Sequence, residues 1–383
     1  MKAFIHFLSA LCSLKSSATT LSSFSNMIAI ALSVALIFSS CKKEPDDNDP
    51  VVKPEPPKST AIYVLNQGSY SGNNATVTMY DLETEVITPD VFKAVNEREL
   101  GDTGADLLIY GSKAYIITNV SSQLEVVNAT TFQSIKQISF KKDGVPQQPS
   151  AIIGNGSYIY VAAYDGTVTV IDTATLNSVK VINVGLNPDA LLAAHGRIWV
   201  SNSGGLNFPD YDNTVSVIDP VTLTEVEKIE VGTNPYTLQA DAYGDIYVIT
   251  RGNYGDVKMR LKIIDAASKT VKHTFDDFEA YSFTIKGDTA YVYHHDYTLS
   301  KSTIMLINVK TEEMITSNFI TDGTEFEAVY GIAVDPTSND VYICEARGSF
   351  QNQGKVHRFG TDGKRKYSFD AGINPVGVRF LLK

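Results

Sequence analysis

The chain has 383 residues, of which 43% are hydrophobic and 20% charged, and its formal net charge is −11 at pH 7. This acidic balance argues against nucleic acid as a partner, because phosphate binding needs a basic face. The sequence also contains no Gly-rich phosphate loop, no cysteine pair at metal-binding spacing and no Gly-x-Ser-x-Gly elbow, which excludes the enzymes built on those motifs.

Residues 1–40 have the features of a lipoprotein signal peptide. The apolar run Met27–Phe38 is too short to span a membrane and suits a signal-peptide core. It is followed by Ser39, Ser40 and Cys41, an order that resembles a bacterial lipobox and predicts lipidation of Cys41. An ordinary secretory cleavage near Ser40 is the alternative, and either Met1 or Met27 could be the start. With Cys41 acylated, Cys344 would have no partner for an internal disulfide.

Residues 41–59 are rich in acidic residues and proline and nearly lack apolar side chains. Such a segment cannot form a core, so we interpret it as a tether. Acidic residues directly after a lipid-bearing cysteine resemble the surface-export signal of Bacteroidetes lipoproteins. The resemblance implies a location on the outer face of the outer membrane, with the periplasmic face as the alternative.

A short strand with an aromatic at its second position recurs seven times in the rest of the chain. The copies are IYV at Ile62, AYI at Ala114, IYV at Ile159, IWV at Ile198, IYV at Ile246, AYV at Ala290 and VYI at Val341. An alternating strand that ends in Asp or Asn follows in step, as in VTVID up to Asp172. Repeats of roughly 40–50 residues made of short strands are typical of β-propellers. We therefore predict an all-β fold, a seven-bladed β-propeller over residues 60–383.

The two ends of the repeat array predict how the ring closes. The first copy begins with its second strand, near Ile62, and lacks a first strand. The chain ends with the inter-blade phrase Gly372–Pro375 and a further strand, Val376–Leu382. We expect this last strand to complete the first blade, which would remove an open sheet edge.

The positions three residues after each repeat aromatic are expected to surround the mouth of the central channel. They are Asn66, Thr118, Ala163, Asn202, Thr250, His294 and Glu345. The polar members Asn66, Asn202, His294 and Glu345 are candidate ligand contacts. A ring of Asn and Glu also resembles the way propeller lactonases hold Ca²⁺. A solvated channel is the simpler interpretation, and we predict no catalytic residue, metal site or cofactor.

Long loops rich in Tyr, Gly, Asn and Ser are predicted on the face that carries this ring. Aromatic-rich loops on one rim of a rigid scaffold are typical of a recognition surface, although drift in surface loops is the alternative. The candidate apolar contacts in these loops are Tyr70, Phe208, Tyr211, Tyr254, Tyr297 and Phe350.

The segments IYVLNQGSYSGNNATVTMYD and GDTGADLLIYGSKAYIITNVSSQLEVVNATT resemble a Bacteroidetes family of surface lipoprotein propellers. The recurring VGxNP and VxVID phrases are similar to the wider YncE-like, YVTN surface-layer group. The resemblance extends over nearly all of residues 60–383 and includes the BtuG-type lipoproteins. It implies capture of a corrinoid such as cobalamin and its transfer to a TonB-dependent outer-membrane transporter.

Two classes of function therefore stay open. The first is a non-catalytic protein that captures a bulky small molecule, for which long aromatic loops are the indication. The second is an enzyme, either a metal-dependent hydrolase that uses the polar ring or a quinoprotein-like oxidoreductase, the latter by fold analogy alone.

Overall fold

The structure is a computed structural model that describes residues 56–296, 298–299 and 301–383. The signal peptide, Cys41 and almost all of the tether lie outside the described residues. No helix in the described ranges is long and apolar enough to cross a membrane.

The described residues form seven four-stranded antiparallel sheets arranged in a ring, which confirms the predicted seven-bladed β-propeller. Blade 1 contains β1 (Ser59–Asn66), β2 (Thr76–Asp81) and β3 (Ile87–Thr88), and blade 2 contains β4 (Gly104–Tyr110), β5 (Lys113–Thr118), β6 (Gln123–Asn128) and β7 (Ser134–Ser139). After the two-residue strands β8 (Lys141–Lys142) and β9 (Val145–Pro146), blade 3 contains β10 (Pro149–Asn155), β11 (Tyr158–Ala163), β12 (Thr167–Asp172) and β13 (Ser178–Asn183).

The remaining blades repeat the same order along the chain. Blade 4 contains β14 (Pro188–Ala194), β15 (Arg197–Asn202), β16 (Thr214–Asp219) and β17 (Thr224–Glu230), and blade 5 contains β18 (Pro235–Ala240), β19 (Asp245–Thr250), β20 (Arg260–Asp265) and β21 (Thr270–Phe275). Blade 6 contains β22 (Ser282–Lys286), β23 (Thr289–Asp296), β24 (Lys301–Asn308) and β25 (Glu313–Thr316), and blade 7 contains β26 (Ala328–Val334), β27 (Val341–Arg347), β28 (Asn352–Phe359) and β29 (Arg365–Ile373). The last strand, β30 (Pro375–Leu382), belongs to blade 1.

The recurrent aromatic packs each blade against the next. All seven of these side chains are buried, and each lies on the second strand of its blade. The Tyr63 hydroxyl donates to the Ala129 carbonyl of blade 2 at 2.7 Å, and the Tyr247 hydroxyl donates to the Val309 carbonyl of blade 6 at 3.1 Å. At Tyr63 and Tyr247 the buried ring provides apolar area, and the satisfied hydroxyl fixes its orientation against the next blade.

The C-terminal strand closes the ring as the repeat count predicts. β30 pairs antiparallel with β1, with Val64 opposite Val378. The backbones of Lys58 and Lys383 exchange two hydrogen bonds, of 2.9 and 3.0 Å. Blade 1 is therefore assembled from both ends of the described chain.

The connection between blades 1 and 2 contains a short helix, which the repeat pattern of strands does not predict. Helix α1 (Val91–Asn96) follows β3, and the Asp90 side chain caps it by accepting from the Lys93 amide at 3.2 Å. Val91 and Phe92 are buried in the core between blades 1 and 2. The helix thus fills the space beside β3, a strand of only two residues.

Candidate functional site

A central cavity of about 530 Å³ lies where the first strands of the blades converge. Residues from all seven blades line it, and most of them come from first strands. Five tyrosines and four charged residues give it its chemical character: Tyr164, Tyr236, Tyr281, Tyr293, Tyr330, Asp106, Asp189, Arg251 and Arg379. Concave sites with aromatic walls and a few polar groups are the usual form of ligand sites.

Two of the charged side chains in the central cavity form a complete ion pair. Arg379 donates to Asp106 Oδ1 at 2.7 Å. The Asp106 carboxylate also accepts from the Leu107 amide at 2.8 Å and from the Ile152 amide at 3.1 Å. These contacts satisfy the carboxylate within the protein, so the pair has a structural role at the junction of blades 1, 2 and 3.

The other two charged side chains are arranged differently. The guanidinium of Arg251 lies over the Tyr236 ring, with Cζ 3.3 Å from the ring centroid, and 4.9 Å from the centroid of Tyr281. Its Nε is buried and has no hydrogen-bond partner. Asp189 accepts from the Tyr164 hydroxyl at 3.2 Å. No ion pair within 4.0 Å joins Asp189 to Arg251 in the part of the chain that the structure describes.

The two unpaired charges still influence each other through the cavity. Burial raises the pKa of Asp189, and the Arg251 cation partly opposes that rise. The carboxylate of Asp189, followed by burial, raises the pKa of Tyr164 well above its usual value. Arg251 lowers the pKa of Tyr236, but burial and Asp189 outweigh it, and this pKa is about 12. Tyr164 and Tyr236 are therefore protonated at neutral pH, and their hydroxyls can donate and accept hydrogen bonds.

The structure does not place the predicted polar ring around the central cavity. Asn66 is fully buried and donates to the hydroxyls of Thr76 and Thr78 on β2, each at 3.0 Å. Asn202 makes the equivalent pair of bonds to β16, at 2.9 and 2.8 Å. Neither asparagine lines the cavity, so the expected position of both was wrong. They join the second and third strands of their own blades.

The predicted ring positions are displaced by one residue along the strand from the positions that line the cavity. The positions that do line the central cavity come one residue later, at Gln67, Tyr164 and Arg251. Successive side chains of a strand point to opposite faces, so a shift of one residue exchanges blade interior for cavity. A further signal is the residue after each inter-blade Asn-Pro, namely Asp189, Tyr236 or Val376, since all three line the cavity.

A second cavity adjoins the central one, a third adjoins the second, and these two contain the other predicted polar residues. A cavity of about 520 Å³ shares Arg251 with the central cavity and is lined by Tyr254 and His294. A cavity of about 760 Å³ shares His295 with the second and is lined by Glu345 and Phe350. We call these three the joined cavities. They extend from the centre of the propeller over blades 5, 6 and 7.

The carboxylate of Glu345 is fully occupied by protein groups. Its Oε1 accepts from the Glu327 amide at 2.8 Å, and its Oε2 lies 3.0 Å from His357 Nε2. Burial would raise the pKa of Glu345, but the bonds from His357 and Glu327 outweigh it and lower the pKa. His294 is half-buried at the second cavity, and its Nδ1 has no hydrogen-bond partner.

Three of the predicted loop aromatics form a connected chain beside the joined cavities. The rings of Phe208 and Tyr211 meet edge to face at 6.0 Å, and those of Tyr211 and Tyr254 at 6.2 Å. Phe208 is 74% exposed and Tyr254 is 61% exposed. Tyr70 is 78% exposed and lies on blade 1, away from this chain. Tyr297 lies outside the described residues.

Ligands for a metal ion are not concentrated anywhere in the described residues. No group of three or more His, Cys, Asp or Glu side chains within them has a geometry that could hold a metal. Cys344 is fully buried, and burial raises its pKa to about 12, so its thiol is protonated.

Fold and cavity together define a seven-bladed β-propeller with a charged, tyrosine-lined centre. The chain belongs to the family described as "Domain of unknown function (DUF5074)", which matches residues 60–372. No protein with a curated description matches the chain.

Three solved structures with a similar fold are distant from this chain in sequence. A quinonprotein alcohol dehydrogenase-like protein from Bacteroides thetaiotaomicron has a TM-score of 0.62 at 15% identity, covering 85% of this chain and 79% of that one. Kuenenia stuttgartiensis hydrazine synthase has a TM-score of 0.55 at 17% identity, covering 71% and 93%. The computationally designed Ika8 protein has a TM-score of 0.54 at 16% identity, covering 84% and 96%. At these identities the likeness concerns the fold alone.

Proposed function

We propose that this protein binds a bulky small molecule on the face that carries the joined cavities and does not transform it. The observation that carries this proposal is the row of three adjacent cavities, in which Arg251 lines the first and second and His295 lines the second and third. A bulky ligand would contact more than one of these cavities, whereas a small metabolite would occupy one.

The exposed aromatic chain supports the same conclusion. Phe208, Tyr211 and Tyr254 extend from solvent to the second cavity, where Tyr254 forms part of the wall. Stiff aromatic side chains provide contact area at a low cost in conformational entropy. Together with the tyrosines of the central cavity they would surround a flat, partly apolar ligand.

A corrinoid such as cobalamin is the leading candidate for the ligand. The support for it is the resemblance to BtuG-type surface lipoproteins, together with cavities large enough in sum for a macrocycle. By the same resemblance, the protein would be anchored through Cys41 at the outer membrane and would pass its ligand to a TonB-dependent transporter. The exposed rim loops would then face both the medium and the transporter.

Calorimetry of the purified protein with cobalamin and cobinamide tests the proposal. We expect binding heat with at least one of the two, unchanged by a metal chelator and with the ligand recovered intact. If neither cobalamin nor cobinamide gives binding heat, a corrinoid is not the ligand. A chelator-sensitive hydrolysis of a lactone or ester would favour the enzyme instead.

A further inference from the structure

The central cavity contains one charge pair that is satisfied within the protein and one that is not. Arg379 Nη2 lies 2.7 Å from Asp106 Oδ1, and the two side chains form an ion pair. Asp189 and Arg251 face the same cavity with no ion pair between them among the described residues. Half-buried opposite charges that do not meet are costly, because each loses water without gaining its partner.

Open hydrogen-bonding capacity is concentrated beside these two residues. The buried Nε of Arg251 has no acceptor. The Tyr281 hydroxyl, whose ring lies under the same guanidinium, has no hydrogen-bond partner within the described part of the chain. Asp189 accepts from the Tyr164 hydroxyl through Oδ1, and a hydrogen bond from Ser203 also acts to lower its pKa. A carboxylate has about four lone-pair sites, so further donors can still bind it.

The pairing of charges limits which ligand groups fit this part of the cavity. A carboxylate or phosphate would bind Arg251 but would be repelled by Asp189. An ammonium or amidinium would bind Asp189 but would be repelled by Arg251. A neutral group with a donor on one side and an acceptor on the other satisfies both at once. A primary carboxamide has this form.

We propose that the central cavity recognises a primary carboxamide of the ligand. Its N–H groups would donate to the Asp189 carboxylate, and its carbonyl oxygen would accept from the Arg251 guanidinium. The inference deepens the proposed function and rests on it for the identity of the bulky ligand. It names the chemical group that anchors the ligand at the centre of the propeller.

Three small probes test this without assuming any large ligand. Benzamide, benzoate and benzamidine share one ring and differ only in the neutral, negative or positive group. Saturation-transfer NMR with the purified full-length protein should detect benzamide at millimolar concentration and neither charged analogue. Preferential binding of benzoate or benzamidine, or no binding of any probe, would overturn the inference.

Two substitutions should change which of the three probes the protein prefers. In Asp189→Asn, Arg251 keeps its charge without the opposing carboxylate, so benzoate should bind and benzamide should weaken at least tenfold. In Arg251→Met, benzamidine should bind instead. Val221→Ala, at an 88% exposed side chain in the β16–β17 turn, should leave the benzamide preference unchanged. If Asp189→Asn and Arg251→Met lose all probes alike and melt earlier, the two residues are structural and the inference is wrong.

A corrinoid pair separates failure of this inference from failure of the proposed function. Cobinamide has primary carboxamides at its periphery, whereas cobyrinic acid has carboxylates there. The wild type should bind cobinamide at least tenfold more tightly than cobyrinic acid. Asp189→Asn should bring the two affinities closer together. If neither corrinoid binds, the proposed ligand fails while the three small probes still decide the carboxamide. Equal affinity for both corrinoids would contradict the carboxamide alone.

Discussion

The Ser59 hydroxyl donates to Asp335 Oδ1 at 2.7 Å and joins β1, the second strand of blade 1, to the residue that follows β26, the first strand of blade 7. Both side chains are buried. The bond crosses the place where the ring closes, beside the pairing of β1 with β30. Closure therefore depends on a polar contact between neighbouring blades as well as on the strand ladder within blade 1.

Deleting residues 376–383 should destabilise the whole propeller. The deletion removes β30 except for Pro375 and leaves β1 with an unpaired edge. It also removes Val378, which is 2% exposed, from the core shared by blades 1 and 7. We expect the free energy of unfolding to fall by at least ~4 kcal/mol, measured by urea denaturation.

Point substitutions in the same strand provide the control. Val378→Ala should cost roughly 1–3 kcal/mol because it creates a cavity in a packed core. Leu382→Ala, at a side chain that is 44% exposed, should change stability by less than ~0.5 kcal/mol. A truncated protein that unfolds at the same urea concentration as the full chain would disprove the role of the closing strand.

The closing strand could be predicted by counting the strands of the repeats. Seven second-strand phrases, a missing first strand near Ile62 and a spare strand at Val376 allow one simple arrangement of a closed ring. A pattern that recurs seven times stays recognisable even where single copies deviate from it, so the fold could be predicted from one sequence.

The site was predicted less well, for reasons of register and distance. Asn66 was placed at the cavity, whereas Gln67 lines it, and the pattern of alternation alone does not say where a strand ends. Arg251 and Asp189 were missed because they lie on different blades and no motif connects them. Helix α1 was missed because its core contacts, through Phe92, are non-local.

Asp335→Asn should reduce stability at neutral pH and weaken its dependence on acid. Burial would raise the pKa of Asp335, but bonds from the Thr337 amide and the Ser59 hydroxyl outweigh it and lower the pKa. A carboxyl with a lowered folded pKa stabilises the fold above its unfolded pKa of about 3.9, and this contribution is lost as pH falls. We expect a loss of ~1–3 kcal/mol at pH 7 that shrinks below about pH 4, measured by urea denaturation across pH. A constant difference at all pH values would contradict the linkage.

Cys41→Ala should release the protein from membranes or leave it unprocessed. Lipid anchoring gains ~0.8 kcal/mol per buried methylene, so several acyl chains hold a protein nearly irreversibly. Fractionation and a carbonate wash measure this, and Cys344→Ala, at the buried cysteine, should stay with the membrane. Persistence of Cys41→Ala in the washed membrane would show that the lipobox interpretation is wrong. Protease added to intact cells should digest the wild type if it faces outward.

Tyr254→Ala and Phe208→Ala should weaken ligand binding without affecting the fold. Both side chains are largely exposed, so their loss should change stability by less than ~0.5 kcal/mol. Removing an aromatic contact from a binding surface costs ~1–2 kcal/mol of affinity, or about tenfold. Calorimetry with the bound corrinoid measures the effect, and Val221→Ala, at an 88% exposed side chain in the β16–β17 turn, is the control. Unchanged affinity in both variants would place the ligand elsewhere on the propeller.

Glu345→Gln distinguishes a structural carboxylate from one that contacts the ligand. Because Glu327 and His357 occupy both oxygens of Glu345, the main effect should be on stability. The folded pKa of Glu345 is lowered, so its contribution is present above its unfolded pKa, about 4.3, and is lost as pH falls through the folded value. We expect a loss of ~1–3 kcal/mol at pH 7, a smaller loss near pH 3, and ligand affinity within about threefold of the wild type. Normal stability with affinity lost would make Glu345 a ligand contact, and a hydrolase activity lost in Glu345→Ala would favour an enzyme.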